Sequence, residues 1–172
     1  MGLFGRARGP TAADLVRGQV PLAAGERLLA MATDETSGGH VVATTHHLAL
    51  VDAAGILAWR HPWHEVESAT WQRDSFLLTV LWVGHRRPAQ WLVREPSRLQ
   101  ETLRERVQAS VVLADEFLTQ SRRRVRVVIR QDLATGALLE QTIPGRGADL
   151  SDPDVAREAA DRLARLRSEV GL

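Results

Sequence analysis

Four of the six histidines, His46, His47, His61 and His64, lie close together in the chain. Neutral imidazoles ligate zinc or copper, and a site built from three or four of them needs no cysteine. His46 and His47 are neighbours in a strand-like stretch, so their side chains leave opposite faces and at most one can join a given cluster. No helical His-x-x-x-His pair accompanies them, and neither a metal nor any other cofactor is expected. Ser68, Ser75, Ser97, Ser110, Ser121, Thr44 and Thr45 supply hydroxyls, but no Gly-x-Ser-x-Gly elbow presents one as a nucleophile. The paired carboxylates Asp34/Glu35, Glu65/Glu67 and Asp115/Glu116 fall in turns or on exposed strand faces. Nothing there splits two pKa values as acid–base catalysis requires. The chain is read as not an enzyme, with a small hydrolase or metal-binding protein as the third choice.

Arginines are the more suggestive residues. Arg122, Arg123, Arg124, Arg126 and Arg130 crowd one stretch. On a strand, Arg122, Arg124, Arg126 and Arg130 share one face, and Arg123, Val125, Val127 and Ile129 share the other. A row of guanidinium groups on a sheet can contact phosphates, which makes a nucleic-acid-associated protein the second reading. The formal net charge of only +1 argues against it. Gly145-Arg146-Gly147 precedes a helix start, where anions can bind, yet Asp149, Asp152 and Asp154 oppose one.

Composition sets the outer bounds. The 172 residues are 44% apolar, which suffices for a buried core without staples. There is no cysteine, so disulfides and thiolate chemistry are absent. All 22 basic residues are arginine. With no tyrosine and three phenylalanines, the five tryptophans are the main bulky core fillers. No apolar run approaches the roughly 20 residues of a membrane helix. The start, Met1–Pro10, has no apolar stretch after Arg6 and Arg8, so no signal peptide is read there and a cytoplasmic location is expected.

These residues must be positioned by short strands. Glu26–Ala32, Val41–Thr45, His47–Val51, Ile56–Arg60, Val66–Gln72, Phe76–Val83 and Gln90–Val93 alternate or run apolar between turn-forming clusters such as Asp34–Gly39 and Asp52–Gly55. The period then changes: Pro96-Ser97 opens a helix with Leu99, Leu103 and Val107 on one face. Ser110–Ala114 is read as a strand, and Arg124–Arg130 with Leu138–Ile143 as a hairpin. A final helix is capped at Ser151 or Asp152, carries Pro153 in its first turn, and stops at Gly171. Its stripe is Val155, Ala159, Leu163, Leu166 and Val170.

Seven strands closed by one helix is the order of a pleckstrin-homology-like (PH-like) domain. "GERLLA" at Gly25–Ala30, "VVATTHHLALVD" at Val41–Asp52 and "RHPWHEVESATW" at Arg60–Trp71 resemble the bacterial PH-like and GRAM-type pattern. In it a Gly-Glu leads the first strand, a threonine precedes a short Leu-rich strand, and a proline-led segment enters a strand through Val or Ile. Residues 109–172 resemble a segment of actinobacterial proteins of uncharacterised role. The expected fold is therefore α+β: an arm over 1–21, a PH-like seven-stranded antiparallel barrel with its helix over 22–108, and a β-hairpin plus helix annex over 109–172.

The resemblance implies a non-catalytic binding or scaffold module, most readily for a protein partner, reached by adding a strand to an open barrel edge or through the groove between barrel and annex. Phosphoinositide-type lipid is disfavoured, because the first loop carries Asp34 and Glu35 where basic residues would be needed. The candidate binding residues are Arg86, Arg87, Arg124, Arg126 and Arg130, with Trp63 as an anchor.

Overall fold

The computed structural model describes residue 16 and residues 18–84, 87–94 and 98–171. In chain order the elements are β1 (Leu28–Thr33), β2 (His40–Thr44), β3 (His47–Val51), β4 (Leu57–Pro62), β5 (Val66–Gln72), β6 (Leu77–Trp82) and β7 (Ala89–Leu92). They continue with α1 (Leu99–Ala109), β8 (Val111–Leu118), β9 (Arg124–Gln131), β10 (Leu138–Pro144) and α2 (Pro153–Val170). The fold is mixed α+β. The helix start expected at Pro96-Ser97 lies outside the described residues.

Among the described residues seven strands precede α1, and they do not close into a barrel. They form a four-stranded antiparallel sheet, β1-β2-β3-β4, and a three-stranded one, β5-β6-β7. Pro62, the last residue of β4, and a 3-10 turn over Trp63–Glu65 separate β4 from β5; proline has no N–H with which to carry a ladder further. At the other corner β7 meets the end of β1 through two bonds: Glu35 N–H donates to Leu92 O at 2.9 Å and Leu92 N–H donates to Asp34 Oδ1 at 2.8 Å.

Alternation decides which side chains enter the core. In β2, Val41 and Ala43 face the second sheet and Val42 faces away; in β3, Leu48 faces in while Ala49 and Val51 face away. The shared core adds Leu78, Val80, Trp82 and Trp91 from the second sheet, Leu99 and Leu103 from α1, and Trp63. The outward face of the first sheet is also covered. Val16 and Val20 pack on Val42, Ala49 and Val51, so part of the expected arm belongs to the fold.

The C-terminal part is a three-stranded sheet, β10-β9-β8, with α2 on one face. β8 runs eight residues, longer than the stretch read from the sequence. Val125, Val127 and Ile129 of β9 bury against Val155, Ala159 and Leu166 of α2. Asp152 caps α2 by accepting from Asp154 N–H at 2.9 Å, and Gly171 ends it in the left-handed conformation, φ 76°.

One buried carboxylate ties the first sheet together. Glu26 lies just before β1, its side chain closed to solvent. Its Oε1 accepts from Thr44 Oγ1 at 2.5 Å and lies 2.8 Å from His47 Nδ1; its Oε2 accepts from Ala23 N–H at 2.9 Å. Thr44 Oγ1 in turn accepts from His47 N–H at 2.8 Å. Trp63 Nε1 donates to Thr44 O at 3.0 Å. Burial alone would raise the Glu26 pKa. The donors His47, Thr44 and Ala23 outweigh it and leave the group below its ordinary value. Asp34 behaves alike: burial raises it, but donors from Ser37, Leu92 and Thr36 bring it down.

Two predictions follow from these carboxylates. Glu26→Gln removes a charged acceptor from three donors and should cost about 2–3 kcal/mol, read from the urea midpoint at pH 7. Glu26 and Asp34 hold folded-state pKa values below their unfolded ones. Their stabilisation is therefore complete above the ordinary carboxylate range and is lost as pH falls through the lowered folded values. The urea midpoint should drop on acidification below about pH 4, and by less in Glu26→Gln than in the parent; an equal drop in both would remove Glu26 from the account.

Candidate functional site

The residues singled out in the sequence separate into three places. Arg87 is exposed in the β6–β7 turn, and its neighbour Arg86 lies outside the described residues. Trp63 is not a surface anchor. It is fully buried, with its indole N–H spent on Thr44. The 3-10 turn points it inward because Pro62 ends β4 and the next turn must fill the gap between the sheets.

The arginine ribbon is also not a solvated face. Arg122 sits in the β8–β9 turn with φ 56°, off the strand and off the row. Arg124 is exposed beside Glu116, 3.6 Å away. Arg126 is half-buried, and Arg130 is completely buried. The reason lies in the packing: the β9 face opposite α2 lies against the rest of the fold. Arg130 Nη1 donates to Ser110 Oγ at 2.7 Å, and Gln141 Nε2 of β10 donates to His64 O at 2.8 Å.

The histidines do not converge. His47 is bound to Glu26, and His61 Nδ1 lies 2.7 Å from Glu65 Oε2. Among the described residues no group of three or more His, Asp or Glu is arranged to hold a metal ion. Glu35 of the first loop pairs with Arg94 at 2.8 Å, and Asp34 is turned inward onto its own loop. Both loop carboxylates are therefore engaged within the fold. Near the start of α2, Glu116, Asp149, Asp152, Asp154 and Glu158 line a cleft of about 710 Å³. These groups are engaged in caps and pairs, Asp154 with Arg157 and Glu158 with Arg162, so the cleft is a solvated helix start.

A different feature combines concavity with side chains suited to binding. Trp59 and His61 on β4, Trp82 on β6 and Trp91 on β7 line a groove of about 320 Å³ with Leu50 and Gln90. The ring centroids of Trp59 and Trp82 are 5.4 Å apart and near-perpendicular; those of Trp59 and Trp91 are 6.0 Å apart. His61 stacks obliquely on Trp82 at 4.8 Å. Edge-to-face rings hold one another rigid. Trp82 and Trp91 are buried, whereas Trp59 remains partly exposed at the mouth. Sequence reasoning treated these tryptophans as core filler. The spacing of Trp59 and His61, two apart on an edge strand, was the available signal.

Among the described residues no helix is long and apolar enough to cross a membrane. No family model, no curated protein and no solved structure matches this chain.

The two kinds of tryptophan should separate under mutation. Trp63→Ala leaves a cavity and an unpaired carbonyl and is expected to cost about 4 kcal/mol. Trp59→Ala at the groove mouth is expected to cost about 1–2 kcal/mol. Urea unfolding of both variants checks the order; equal losses would place Trp59 in the core.

Proposed function

We propose that this protein is a non-catalytic binding module of PH-like descent that takes up an extended segment of a partner protein along the outer edge of β4. The observation carrying this reading is the coincidence of an open strand edge with the tryptophan-lined groove. β4 pairs with β3 alone among the described strands. Its outer backbone row is the kind of template that an added strand satisfies, and side chains alternating inward would fall beside Trp59 and His61. Main-chain bonds would supply affinity and the groove selectivity. Tryptophan is favoured at such places because it offers large area with few rotors to freeze. Arg60, exposed in mid-edge, discourages two copies from pairing edge to edge.

The nucleic-acid reading has weaker support. Of its four aligned arginines, one leaves the strand, one is half-buried and one is buried, so the continuous cationic row that phosphate binding needs is absent from the folded surface.

The test is selection from a displayed library of random peptides about ten residues long against the purified chain. Selected peptides are expected to slow amide exchange in β4 and to lose at least about tenfold in affinity against Trp59→Ala. Peptides that bind Trp59→Ala as well as the parent, or that protect other strands instead, would refute the proposal.

A further inference from the structure

The β9 face turned away from α2 is short of a negative charge. Arg130 is wholly buried, and its Nη1 is satisfied by Ser110. Its Nε and Nη2, which lie side by side along one edge of the guanidinium, are buried with no acceptor. Arg126, on the same face of the strand, leaves the same two nitrogens buried and unmatched. That edge carries two parallel N–H groups spaced for two oxygens of one oxyanion. Around them Gln141 Oε1 and His64 Nδ1 are also buried without partners.

The charges do not balance. The groups acting on Arg130 are Arg126, of like sign, and the Glu67 carboxylate of β5. Asp132, beside His64, is spent on its own turn, accepting from Ala134 N–H at 2.8 Å. Burial, then the neighbouring Arg126, push Arg130 down to about 10, with Glu67 opposing them. Arg130 therefore stays charged at neutral pH. Glu67 is the carboxylate that acts on Arg130, and Glu116, opposite Arg126 in the β8–β9 register, lies 3.6 Å from Arg124 instead; a buried charge with no counter-charge is strongly destabilising.

We propose that the seam between β5 and the β9–β10 face holds a small tetrahedral oxyanion, of the phosphate or sulfate class, on the open edges of Arg126 and Arg130. The shielding of those nitrogens from solvent favours a free ion over a phosphate carried on a polymer or lipid.

The experiment follows the thermal midpoint of the full chain, dialysed into chloride, as phosphate or sulfate is added in the low millimolar range at constant ionic strength. That range keeps the general stabilisation by excluded anions negligible. A saturable rise of about 5–11 °C is expected at one hundred times the dissociation constant. Arg126→Gln should abolish most of it. Glu67→Gln removes the competing carboxylate and should tighten phosphate severalfold, a gain that a structural role for Glu67 would not produce. Should Arg126→Gln fail to fold, Glu67→Gln and the broadening of the phosphate 31P resonance decide alone. A midpoint indifferent to the anion at fixed ionic strength would overturn the proposal. So would Glu67→Gln weakening the effect, or a single-stranded oligonucleotide raising the midpoint where free phosphate does not.

Discussion

The buried carboxylate of Glu26 is the interaction on which the N-terminal half depends. It stands before β1, yet it serves the turn between β2 and β3 through Thr44 and His47. Thr44 carries the same network to Trp63, whose indole N–H binds its carbonyl. Three segments far apart in sequence thus share one set of donors and acceptors. A charged acceptor fully enclosed by donors is stable; the same carboxylate missing one donor would leave a costly unmatched charge. The network therefore works as a constraint of all or none. It sets where β1 begins, how β2 turns into β3, and where the largest core side chain enters.

Asp34 performs the matching task at the opposite end of β1. Its two oxygens accept from Ser37, Thr36 and Leu92, so one carboxylate shapes the β1–β2 loop and fastens β7 to it. With Glu26 at one end and Asp34 at the other, β1 is held at both ends by buried anions. The two sheets then need no continuous ladder. Where β4 faces β6 and β7 without a ladder, the aromatic cluster fills the space and leaves a groove rather than a sealed wall.

Much of this organisation was legible from residue patterns. Strands β3 and β5 and the caps of α2 follow from alternation, Pro153, Asp152 and Gly171, all local signals. The Gly25-Glu26 pair, Thr44 and the Pro62-led segment stood out as a pattern but not as chemistry. Only the structure brings Glu26, Thr44, His47 and Trp63 into contact. The failures share a cause. Trp63 as an anchor and Arg130 as a surface group were read from side-chain type, whereas burial is decided by what packs on a face from elsewhere in the chain. Alternation separates two faces of a strand but cannot say that both are covered. The outward face of the first sheet repeats the point: Ala49 and Val51 are buried by Val16 and Val20.

β9 shows how composition and packing meet. Its valine and isoleucine face secures α2, and its other face, Arg126, Val128 and Arg130, is covered by the rest of the fold. A chain without lysine has only arginine to place wherever a cation is required. Arginine suits a seam better than lysine would. Its guanidinium is weakly hydrated, so burial costs it less, and its donors are planar and directed. One nitrogen of Arg130 is used to hold Ser110, where α1 gives way to β8. The remaining edge is free of that task and still buried. Well-packed apolar residues can complete such a seam at no loss of stability. Two guanidinium edges buried on one face without acceptors are arranged as a receptor for a further negative charge.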